Sequence, residues 1–169
     1  MKSNGTPNPN LRLALRANAL AGHGKIGRIL AKVLRQLNRI LFSCDISIGA
    51  QIDPSCSFYH AGLGCVIHAN AVVGPGCIFF QHVTLGAAWH PRGGHDGAPH
   101  IGENVMFGAG SVVLGDIEIG NDVTIGANAV VTKSIPAGCV VAGVPGKIIK
   151  RTSDQLHGDL DRSVDDLQP

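Results

Sequence analysis

The sequence predicts a mainly β fold: a left-handed parallel β-helix of hexapeptide repeats, preceded by a short helical segment. Three observations carry that prediction. An aliphatic or aromatic residue returns every six positions over long stretches. Glycine is abundant, with 23 residues, while aromatics make up only 4%. Small and β-branched residues recur at a fixed offset from the returning anchor. Such a chain favours short stacked strands with tight corners over a helix bundle. Its 169 residues make one ordinary domain, long enough to bury a core without disulfide or metal staples.

Taken in order, residues 1–10, MKSNGTPNPN, are expected to be a disordered lead-in. Residues 28–42 read as an amphipathic helix, with Leu30, Val33, Leu34, Leu37, Ile40 and Leu41 at helical spacing. Arg28, Lys32, Arg35 and Arg39 take outward positions. Gly22, Gly24 and Gly27 are expected to weaken any helix further upstream. The apolar stripe is expected to pack on the rest of the domain; the alternative is a basic face lying on an anionic membrane. Residues 1–44 hold eight Lys or Arg and no Asp or Glu, so the net +2 of the chain hides a strongly basic start.

From Asp45 the six-residue period takes over. Anchors run through Ile46, Ile52 and Phe58, then Ile67, Val73, Phe79 and Leu85, then Ile101, Phe107, Val113, Ile119, Ile125 and Val131. Glycine follows the anchor at 102, 108, 120 and 126, which suits a corner needing positive φ. Four residues after the anchor come Val105, Ser111, Ile117, Val123 and Ala129, and also Cys56 and Cys77, which are expected to be inward fillers. A hexapeptide period is the signature of a parallel β-helix, three short sides to a coil. A β-sandwich does not hold six consecutive anchors at one spacing. The step of nine from Phe58 to Ile67 inserts three residues, and the step of sixteen from Leu85 to Ile101 makes a protruding loop, 86–100. The domain limits expected are therefore 1–44 for the basic helical segment, 45–151 for the β-helix, and 152–169 for an acidic tail.

The five cysteines form no C-x-x-C pair and no zinc spacing. Neither a signal peptide nor a bilayer-length apolar run is visible. The expected setting is the cytoplasm with reduced thiols, extending to the inner face of the membrane if the basic helix binds there. No nucleic-acid partner is expected.

The period alone gives fold and not function. The segment CDISIGAQIDPSCSFYHAGLGCVIHANAVVGPGCIFFQHVTLGA, residues 44–87, is more specific. It resembles serine acetyltransferases and their shorter relatives that O-acetylate exopolysaccharide sugars, as do PHIGENVMFGAGSVVLGDIEIGNDVTIGANAVV and AGVPGKII. The resemblance covers residues 44–151. It implies a homotrimer with active sites between subunits, and acetyl-CoA as co-substrate. It implies His60 as general base and Asp45 as the residue that orients it. Imidazole titrates near neutrality, so it can take the acceptor's proton and return it to the departing thiolate. Asp45 lies fifteen residues earlier, where the coil has nearly closed on the same edge one rung away, so its carboxylate can accept the other ring N–H.

Tyr59, Gln81 and His82 are expected to line the acceptor pocket. The backbone near Gly86 is the expected oxyanion donor. Ala109, Gly110 and Ala127 are small enough for the pantetheine arm to approach the backbone, and Lys147, Lys150 and Arg151 are placed to meet phosphates. His90, His95 and His100 in the loop are not expected to hold a metal, because no carboxylate set completes a site. Two departures bear on the acceptor. Tyr59 stands where serine acetyltransferases have an aspartate, and Ala98 where they have a second histidine. The acidic residue that their long helical domain contributes has no counterpart. The expected acceptor is therefore a saccharide hydroxyl, with serine O-acetylation as one alternative and a non-catalytic trimeric scaffold as another.

Overall fold

The computed structural model describes residues 8–89 and 97–151. Two helices come first, α1 (Pro9–Ala21) and α2 (Gly24–Phe42). Strands of two to five residues follow: β1 (Asp45–Ile46), β2 (Gln51–Ile52), β3 (Ser57–Phe58), β4 (Val66–Ile67), β5 (Val72–Val73), β6 (Ile78–Phe79), β7 (Thr84–Gly86), β8 (His100–Ile101), β9 (Met106–Phe107), β10 (Val112–Leu114), β11 (Glu118–Ile119), β12 (Thr124–Ile125), β13 (Val130–Val131), β14 (Cys139–Ala142) and β15 (Lys147–Arg151). Up to β13 every third strand joins the same sheet, and β14 and β15 extend the third, in the orders β1-β4-β7-β10-β13, β2-β5-β8-β11 and β3-β6-β9-β12-β14-β15. All ladders are parallel except the last, where β15 turns back antiparallel on β14. The result is a left-handed parallel β-helix with three flat sides.

All thirteen anchors read from the sequence are buried, from Ile46 to Val131. Coiling aligns them in columns. The rings of Phe58, Phe79 and Phe107 stack through three coils, with centroids 4.5 and 4.6 Å apart. Each ring thus fills the space left by its neighbours above and below.

The glycines after the anchor have a different reason from the one expected. Gly102, Gly108, Gly120 and Gly126 are not at positive φ. They are small because the next coil presses on them: a Cβ at Gly108 would sit 2.5 Å from the Ala127 nitrogen, and one at Gly120 2.5 Å from the Ala137 nitrogen. The left-handed corners fall two residues later, at Asn104, Gly110, Asp122 and Asn128. Asparagine and aspartate tolerate that region better than other side chains.

The N-terminus departs further from expectation. Helix α1, for which no element was expected, starts at Pro9, a residue pre-set for the first helical turn. It closes the open end of the first coil. Leu11 and Ala14 join the core, Asn8 Nδ2 donates to the Phe58 carbonyl at 2.9 Å, and Asn18 Nδ2 donates to the Ala50 carbonyl at 2.7 Å. Gly22 lies between the helices, but Gly27 sits inside α2 and packs against the Leu20 carbonyl, where a side chain would not fit. Helix α2 turns Gly27, Ala31 and Asn38 inward. Its apolar stripe does not pack on the domain: Leu30, Val33, Leu37, Ile40 and Leu41 are 40–67% exposed, and only Leu34 is half-buried. Small residues allow the two helices to approach closely, so the inward face is the small one and the large aliphatics are left outside.

Candidate active site

The three inserted residues after Phe58 create the local irregularity on which the site is built. Tyr59–Gly62 forms a tight 3-10 turn in which His60 (φ 53, ψ 35) and Ala61 (φ 52, ψ 26) are both left-handed. A non-glycine residue held there costs about 1–3 kcal/mol unless its surroundings enforce it. The surroundings do so. Leu63 N donates to the His60 carbonyl at 3.1 Å, Gly64 N to Ser43 O at 2.9 Å, and Gly62 is buried against Asn10, Cys44 and Phe58. The His60 side chain is left exposed.

The same edge continues down the β-helix. The corner after each strand of the β3 sheet carries Tyr59 and His60 on the first coil, Phe80, Gln81 and His82 on the second, Ala109 and Gly110 on the third, and Ala127 on the fourth. Backbone bonds tie these corners together: Gly110 N donates to Gln81 O at 2.9 Å, and Asn128 N to Ala109 O at 2.9 Å. Tyr59 and Phe80 stack with centroids 5.1 Å apart. His82 N donates to Leu63 O at 2.8 Å, and the His82 ring lies over Gly64, where a Cβ would overlap it. Lys147, opposite Ala142, closes the far end of this edge. With about 4.8 Å between rungs, the span from His60 to the fifth coil is roughly 19 Å.

Two expected residues fall elsewhere. Gly86 ends β7 at the opposite corner of its side, so in one chain it stands a strand's length from the edge that carries His60. Arg151 pairs with Cys139 at the other end of β14. His90 and His95 lie outside the described residues. Among the described residues no group of three or more His, Cys, Asp or Glu is placed to hold a metal ion.

Asp45 begins β1 beside this edge, but its carboxylate faces the hairpin. Arg35 Nε donates to Oδ1 at 2.7 Å, and its terminal nitrogen reaches Oδ2 at 3.0 Å and Ser47 Oγ at 3.3 Å. Arg39 Nε stands 3.7 Å from Oδ2. Among the described residues no hydrogen bond joins Asp45 to the His60 ring. Nothing in the six-residue period foretells Arg35 as a partner, because the pairing depends on how α2 docks against β1.

The thiols are not candidate nucleophiles. All five are free and buried. Burial pushes Cys44 up to about 12. The neighbouring Cys77 thiol and burial raise Cys56, whose Sγ donates to the Gly74 carbonyl at 3.3 Å, while Cys77 Sγ donates to the Gly102 carbonyl at 3.2 Å. They serve as small fillers of the inward column.

Residues 98–133 match the bacterial transferase hexapeptide family (six repeats). A serine acetyltransferase of Mycobacterium tuberculosis is 41% identical over 140 residues, which cover 83% of this chain and 60% of that protein. One from Synechococcus elongatus is 39% identical over 135 residues, covering 80% and 54%. Among solved structures, serine acetyltransferase from Brucella abortus in complex with coenzyme A has a TM-score of 0.77 at 32% identity, covering 84% of this chain and 55% of that one.

The chain is a serine acetyltransferase-like hexapeptide-repeat protein. It spans a little over half the length of these relatives, 54–60% of the two curated ones. A serine complex of the Neisseria gonorrhoeae serine acetyltransferase is also similar, with a TM-score of 0.75 at 30% identity, covering 83% of this chain and 55% of that one. For a hexapeptide-repeat protein of this group, the edge that collects His60, Gln81, His82, Ala109, Gly110 and Ala127 is the candidate active site.

Proposed function

We propose that the protein is an acetyl-CoA-dependent O-acetyltransferase that works as a cytoplasmic homotrimer, with serine as the acceptor its relatives favour. The observation that carries this reading is the single edge on which an exposed, turn-held histidine leads into a line of small residues. His60 takes the proton of the acceptor hydroxyl as its oxygen attacks the thioester carbon. When the tetrahedral intermediate collapses, the same ring returns the proton to the leaving sulfur of coenzyme A. Ala109, Gly110 and Ala127 leave room for the extended cofactor, and Lys147 offers a cation at the far end. Asp45, whose carboxylate Arg35 holds at 2.7 and 3.0 Å, ties the first coil to α2 beside the His60 turn. Gly86 serves the oxyanion from a neighbouring subunit.

A saccharide acceptor is the second reading. It is favoured by the stacked Tyr59 and Phe80, which offer an aromatic surface, and by the buried Ala98, which offers no polar group. The deciding experiment measures thiol release from acetyl-CoA with serine, homoserine, sugars, nucleotide sugars and oligosaccharides. Turnover with serine alone supports the first reading, and turnover only with a saccharide supports the second. Failure to bind coenzyme A overturns both and leaves the non-catalytic scaffold.

A further inference from the structure

The hairpin carries an apolar face that nothing in the described chain covers. Ile26, Ile29, Val33, Leu37, Ile40 and Leu41 are each at least 40% exposed. At 100° per residue they fall within about 120° of the surface of α2. The flank beside them is basic: Lys25, Arg28 and Lys32 are exposed, and Arg35 and Arg39 on the same flank face Asp45. No Asp or Glu occurs anywhere in residues 1–44.

We propose that this face of α2 seats the protein on an anionic lipid bilayer. The aliphatic arc enters the boundary between headgroups and acyl chains, and Lys25, Arg28 and Lys32 meet the lipid phosphates. An apolar face bordered by cations alone is the pattern of a helix lying in a membrane interface. Charge separates this occupant from a second copy of the chain. A second copy packed hairpin to hairpin would bring the same acid-free basic flank against this one, with no carboxylate on either hairpin to pair it, whereas an anionic surface offers a partner to each of Lys25, Arg28 and Lys32. Among the described residues no helix is long and apolar enough to cross a membrane, so the contact is superficial.

The seat also positions the candidate site, whichever acceptor that site takes. Arg35 touches Asp45 at 2.7 Å. Leu37, Ile40 and Leu41 follow it by two to six residues, which is ~3–9 Å along the helix axis. A docked protein thus holds its first coil beside the headgroups, within reach of a hydroxyl anchored at the surface.

The test floats the full-length protein with vesicles of mixed phosphatidylglycerol and phosphatidylcholine, and with vesicles of phosphatidylcholine alone. Binding to the anionic vesicles is expected to exceed that to neutral ones by about tenfold or more and to fall with added salt. The combined variant Ile29→Ser, Val33→Ser, Ile40→Ser is expected to lose it, while circular dichroism and coenzyme A binding stay unchanged. Equal binding to both vesicles, binding to neither, or binding that survives the triple substitution overturns the proposal. So does light scattering in which the wild type forms a larger assembly than the variant, since another copy then occupies the face. Flotation does not depend on turnover, so the failure of the acetyltransferase reading would be visible separately.

Discussion

The β-helix and the hairpin were read from the same kind of signal, a hydrophobic period, and the period succeeded in one and misled in the other. In the β-helix every anchor lies inside. On α2 the apolar residues at helical spacing lie mostly outside. The difference is one of closure. A coil of three sides encloses its own interior, so a residue that points inward is buried by the chain that carries it. A single helix has no interior. Its period says which residues share a face, and only a neighbour decides whether that face is covered.

Substitutions test this contrast most strongly at the centre of the tube. Phe79→Ala removes the middle ring of a three-ring stack and is expected to cost about 3–5 kcal/mol, read as the shift in chemical unfolding. A cost no larger than that of a stripe residue would mean that the tube does not enclose its core as described.

The inserted turn interrupts the regular coil and should matter to chemistry instead. His60→Asn keeps a residue that tolerates positive φ while removing the base. Turnover is expected to fall about 10²–10⁴-fold with unfolding unchanged. Turnover within twofold of wild type would remove His60 from the mechanism.

Where hairpin meets tube, Arg35→Met breaks a two-pronged pair with Asp45 whose side chains are 35% and 23% exposed. Solvent screening reduces its worth, and a loss of about 1 kcal/mol is expected in thermal unfolding. No change would mean that the hairpin is held by α1 alone.

The Cys44 thiol lies beneath the same junction. Its pKa is raised from 9.0 to about 12 by burial, so the folded state keeps its proton where the unfolded chain has lost it. That contribution is whole below pH 9 and is lost as pH rises from 9 towards 12. Urea midpoints should therefore decline across that window, and less steeply in Cys44→Ala. The smallest effect is expected on the stripe. Ile40→Ser should change stability by no more than about 0.5 kcal/mol, against several for a core residue, because Ile40 is 67% exposed within the chain.

The sequence by itself determined the tube: which residues fill it, where three residues are inserted, and that a histidine sits on the insertion. These follow from local spacing, because stacking identical coils converts a six-residue offset into a fixed place in space. It also brought His60, Gln81, His82, Ala109, Gly110 and Ala127 into one candidate set, which the fold aligns along one edge. Only the tertiary structure decided the rest. It gave Asp45 to Arg35, set Gly86 at the far corner of its side, made the glycines after the anchors a matter of coil contact, and left the α2 stripe exposed. Each of these depends on what one element meets when another docks beside it, and a period along a single chain does not encode that meeting.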